Sequence, residues 1–81
     1  MKTKTMIDYC DDAISDAEKF IGGPMESSAR LCLSDAVDQY KAGNYHDALR
    51  HAARSLKYSV GIGALAWQRA NDSVKTWAPL W

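Results

Sequence analysis

Eighty-one residues, 47% of them apolar and 25% charged, make one small globular domain. Ten Lys+Arg balance ten Asp+Glu, a composition too apolar for disorder and lacking the dense basic cluster of a nucleic-acid-binding arm. The longest uncharged run, residues 58–68, is too short to cross a bilayer, so no membrane segment is expected. Lys2 and Lys4 are followed by Asp8, Asp11 and Asp12 where a signal peptide needs an apolar stretch, which points to the cytoplasm. The neutral total conceals an asymmetry. Residues 1–45 carry five basic and eight acidic side chains, and residues 46–81 carry five basic and two acidic ones.

The first periodic segment covers residues 6–21. Met6, Tyr9, Cys10, Ala13, Ile14, Ala17, Phe20 and Ile21 fall within one arc of roughly 140° around a helix. Thr5 and Asp8 have the spacing of a capping box, and Gly22-Gly23 ends the helix. A second helix is predicted over 24–42, with Gly23 as N-cap, Pro24 in the first turn and Gly43 as a left-handed terminator. Its apolar face is Met25, Ala29, Cys32, Leu33, Ala36, Val37 and Tyr40, while Leu31 projects away from it. Asn44 is placed to cap a third helix over 45–60, with Asp47 as its reciprocal partner and Tyr45, Ala48, Leu49, Ala52, Ala53, Leu56 and Val60 as its stripe. No two-residue alternation occurs, so the fold is read as all-α, a small bundle of three to four helices.

Gly61-Ile62-Gly63 leaves two topologies open. The stripe stays in phase through Gly63, Ala66, Trp67, Ala70, Val74 and Trp77, as in one long helix whose overhang a second copy covers, giving a homodimer. Two glycines in three residues cost about 2 kcal/mol of helix propensity, which favours a break and a fourth helix over 64–77.

No catalytic constellation is visible. His46 and His51 lie about 140° apart around a helix and cannot grip one metal, while Asp47 and His51 have the i,i+4 spacing of a surface pair. Cys10 and Cys32 fall on the apolar faces of adjacent helices, as inert thiols or as one disulfide. Three surface features remain. The first is an acidic stripe of Asp8, Asp11, Asp12, Asp16 and Glu18, suited to a basic partner such as a groove that holds nucleic-acid phosphates. The second is a basic stripe of Arg50, Arg54 and Lys57 on the third helix, too small for free-standing nucleic-acid affinity. The third is the tail, where Trp81 follows Pro79, with Trp67 and Trp77 read as core.

Residues 36–49 read Ala-Val-Asp-Gln-Tyr-Lys-Ala-Gly-Asn-Tyr-His-Asp-Ala-Leu and continue as Arg-His-Ala-Ala-Arg-Ser-Leu to Leu56. With Ala36, Tyr40, the turn Gly43-Asn44-Tyr45, Ala48-Leu49 and Leu56, this stretch resembles the helical hairpin of a tetratricopeptide repeat. It departs from that pattern at Ala52 and Ser55, has no Pro after the second helix, and is a single copy. The stretch is also similar to the microtubule-interacting-and-trafficking (MIT) three-helix domain and, more loosely, to HEPN helical domains. Neither His46 nor His51 has the upstream Arg of HEPN ribonucleases, so that likeness implies an inactive version.

These features together predict a non-catalytic protein that binds another protein and uses no metal, cofactor or direct nucleic-acid contact. The leading expectation is a stand-alone inhibitor of a host nucleic-acid-handling complex, of the kind that phages and mobile elements encode, anti-CRISPR proteins included, acting through the acidic stripe. The alternative, favoured by the hairpin, is an adaptor or chaperone-like module holding a peptide or helix between the second and third helices, against the basic stripe.

Overall fold

A computed structural model describes residues 5–77, without the side chains of Val60, Ile62 and Trp77. It contains four helices, α1 (Met6–Lys19), α2 (Glu26–Lys41), α3 (Tyr45–Tyr58) and α4 (Val60–Trp77), and no strand among the described residues. The all-α small bundle is thus the observed fold. Among the described residues, no helix is long and apolar enough to cross a membrane.

α1 begins as its capping box dictates. The Asp8 backbone N–H donates to Thr5 Oγ1 at 3.4 Å, and the Thr5 N–H donates to Asp8 Oδ2 at 2.9 Å. The next boundary differs from the sequence expectation. Gly23 has φ +83, a left-handed turn conformation, and Pro24 and Met25 complete the turn, so α2 starts at Glu26 with Met25 as N-cap and no side-chain cap. A residue in that conformation cannot also present the extended backbone of an N-cap. Glu26 instead receives Arg30 Nη2 at 2.9 Å, and Met25, expected on the apolar face, is exposed.

α2 ends in a complete Schellman motif. Gly43 at φ +85 donates to the Tyr40 carbonyl, and Asn44 donates to the Gln39 carbonyl. The Asn44 side chain therefore points back, giving its Nδ2–H to Gln39 Oε1 at 2.8 Å, and makes no cap for α3. Asp47, expected as its partner or as the partner of His51, accepts from Arg50 Nη1 at 3.0 Å.

The run after α3 does break. Ser59 caps α3 with non-helical dihedrals, and Gly63 (φ −126, ψ +52) puts a kink inside α4. The kink is a packing requirement as well as a propensity effect. A Cβ built on Gly63 would lie 2.8 Å from both Cβ and Cγ of Phe20, so the end of α1 sits directly against the glycine.

Cross-contacts fix the directions. Ser55 Oγ donates to the Ala29 carbonyl at 2.7 Å, and the rings of Tyr40 and Tyr45 meet edge-to-face at 5.3 Å, so α2 and α3 are antiparallel. Gly63 meets Phe20 while Thr76 lies across a groove from Tyr9, so α1 and α4 are antiparallel too. α3 packs on α1, α2 and α4, whereas α2 and α4 make no contact among the described residues. α1 and α3 thus form the middle of the bundle, with α2 and α4 on opposite sides of that pair. Among the described residues, nine of the fourteen buried apolar ones are alanine, so Leu49 and Leu56, both fully buried, fill the seams that the alanines leave.

Leu49→Ala is expected to lower unfolding free energy by about 3 kcal/mol, read from the midpoint in a urea titration. The same truncation at Leu31, 69% exposed, should change it by less than about 0.5 kcal/mol. A second pair tests the kink. Gly61→Ala, whose Cβ meets nothing within 4 Å, should be neutral or stabilising by up to about 1 kcal/mol. Gly63→Ala should destabilise by about 1 kcal/mol or more, because Phe20 must move.

Candidate functional site

The buried side of α1 is Cys10, Ala13, Ile14 and Ala17, which turns all five sequence-predicted carboxylates outward. They do not form a narrow stripe. At 100° per residue they fan over roughly 160° of the outer surface, with Lys19 among them. Asp8 is committed to the cap of α1. Asp11 and Glu18, both exposed, lie toward α2, where Glu18 borders a shallow recess with Arg30 and Leu33. Asp12 and Asp16 lie toward α4. There they rim an open groove of about 740 Å3 whose other wall carries Arg69, Asp72 and Thr76. Three carboxylates against one guanidinium make this groove acidic. On the other flank of α1, Tyr40 approaches Asp11 from α2, and its hydroxyl is held above its ordinary value by desolvation first and then by Asp11.

The basic stripe of α3 divides in a similar way. Arg50 is half-buried and tied to Asp47, away from the next cavity. Arg54 and Lys57 are exposed and line a groove of about 460 Å3, which lies between α3 and α4 rather than between α2 and α3 as the hairpin alone implied. Its α4 wall supplies Trp67, Val74 and Lys75, and its α3 wall also supplies Tyr58. Three cations line it and no carboxylate does. Trp67, expected in the core, is half-buried and packs against the core's edge, which leaves part of its ring to the groove. Lys75, Tyr58 and Trp67 were not identifiable as site residues, because sequence periodicity gives each helix its faces but no register between helices. The expectations for the side chain of Trp77 and for Trp81 fall outside the described residues.

Among the described residues no three His, Cys, Asp or Glu side chains gather as metal ligands. His46 is exposed and His51 half-buried. Both cysteines are free, so the disulfide arrangement is not formed. Burial, aided by the Asp11 carboxylate, pushes the Cys10 thiol from 9.0 up to about 11. Cys32 is also raised by burial, with Arg54 working against the shift. Because the folded state favours the neutral Cys10 thiol, its contribution to stability is complete below pH 9 and is lost as pH rises toward about 11. A disulfide reagent at mildly alkaline pH should therefore modify half-buried Cys32 well before Cys10, and Cys10 should react only at the rate of local opening. Equal rates, read by mass spectrometry of the modified peptides, would show that α1 is not seated as described.

No family model matches the chain, and neither a curated protein nor a solved structure shows a match to it.

Proposed function

We propose that the chain is a non-catalytic binding protein that inhibits a nucleic-acid-handling complex of its host by covering a basic surface of that complex with the outer face of α1. The reading belongs to the class of small phage and mobile-element inhibitors that includes anti-CRISPR proteins. One observation carries it. Five carboxylates project outward between Asp8 and Glu18, a span of about 15 Å at the rise of a helix, or about one charge per 3 Å. A single nucleic-acid strand presents one phosphate per about 3.4 Å. A partner surface built for phosphates would thus meet carboxylates at a similar axial spacing, spread over both flanks of a rigid helix, with no ordering of a flexible chain to offset.

The test starts with tagged protein and a lysate of the native host, followed by affinity measurement against the partner recovered. Asp11→Lys with Glu18→Lys is the informative pair, because neither residue caps a helix or lines the groove beside α4. The pair should weaken binding at least tenfold, and wild-type affinity should fall steeply with salt, while far-UV circular dichroism and the urea midpoint stay unchanged. Undiminished affinity in the double variant would sink the acidic-face reading.

A second reading, the adaptor, is favoured by the groove between α3 and α4. It is concave, with aromatic side chains among its lining and cations from both helices, the form expected of a surface that takes a segment of another protein.

A further inference from the structure

The chemistry of the α3–α4 groove restricts what it can hold, and the inference that follows rests on the adaptor reading. Lys57 stands on one wall and Lys75 on the other, both exposed, with Arg54 beside Lys57 and no carboxylate among the lining residues. The part-exposed ring of Trp67, the Tyr58 ring and Val74 share the lining. Lining positions on α4 run from residue 67 to residue 75, a length of about 12 Å at the helical rise. The volume of about 460 Å3 suits a few side chains rather than a domain.

We infer that this groove binds a short acidic peptide segment of a partner protein. One large apolar side chain of that segment seats against Trp67, and its carboxylates meet Lys57 on one wall and Lys75 on the other. Charge complementarity selects the carboxylates. The indole selects the apolar anchor, since Trp offers a large rigid surface that loses little entropy on contact. Aromatic rings among cations also suit single-stranded nucleic acid. Three cations are too few to hold a nucleic-acid strand against salt, so the peptide segment is the occupant that this groove favours.

The experiment titrates the full chain into a dye-labelled acidic peptide of about two helical turns with a central Leu, followed by fluorescence anisotropy. Counterparts in which each Glu is Gln or Lys, and a labelled oligothymidylate of similar length, are titrated alongside. The acidic peptide should bind alone among the four, and more weakly as salt rises. Lys57→Glu with Lys75→Glu should reduce its affinity at least tenfold and bring the Lys peptide into binding, with the urea midpoint unchanged, since both residues are exposed. Equal binding of the Gln peptide overturns the acidic-segment inference and leaves the adaptor reading standing. Preference for the oligothymidylate, or no binding by any peptide, overturns both. Self-association of the chain that the same two substitutions abolish would place the acidic α1 of a second copy in the groove and overturn the inference as stated.

Discussion

α3 touches every other helix of the bundle, and the small side chains that permit this set the terms for the rest of the molecule. Six of its fourteen residues are buried, four of them Ala48, Ala52, Ala53 and Ser55. Side chains of that size bring helix axes toward the short end of the usual 8–10 Å range. Close approach also makes the Ser55 bond available, since a hydroxyl on a one-carbon stem reaches the Ala29 carbonyl only where the two backbones are near. A core of this kind has a definite weakness. Each buried alanine removes little apolar area from water, so Leu49, Leu56, Ile14 and Val74 supply a large share of the hydrophobic stabilisation. The protein is accordingly sensitive at a few seams and indifferent over much of its surface.

Much of this was legible in the residues, and the exceptions have physical causes. Thr5 and Asp8 define the start of α1 because a capping box is local, satisfied within one turn. The stripe of α3 was readable because its helix is amphipathic over its full length. The start of α2 was not, because Gly23 and Pro24 fit an N-terminus and a turn equally well. Only the need to reverse the chain between α1 and α2 commits Gly23 to positive φ. Asn44 shows the same competition at the other end of α2. Its side chain could cap α3 or hold back to Gln39, and the Schellman geometry at Gly43 brings it to Gln39. An interruption after α3 was readable from Gly61 and Gly63, but α3 ends earlier, at Ser59, and Gly63 only kinks α4; the reason Gly63 must be glycine lies at the end of α1, in Phe20.

The candidate surfaces divide along the same line between local and non-local information. Asp11 and Glu18 could be assigned to a solvent face from helix periodicity alone. The other half of the basic groove could not, since Trp67 and Lys75 come to face Lys57 only once α4 folds back along α3. Trp67 meets the core only at its edge for a related reason. Its phase places it with Ala66 and Ala70, but α2 does not reach α4, and with no fourth wall the indole stays at the edge.

α4 itself separates the two charged surfaces. α4 packs on α1 along one side and on α3 along the other, so the chain's charge asymmetry becomes an acidic groove and a basic groove with one helix between them. The helix is about 10 Å thick, close to the Debye length of about 8 Å at physiological salt. A charged partner therefore feels one groove at a time, and the net charge of zero does not describe what it meets. Asp11 and Glu18 lie farther round, on the α2 side of α1, so an occupant of the basic groove would leave them uncovered. The two surfaces can be altered separately, because α4 stands between them.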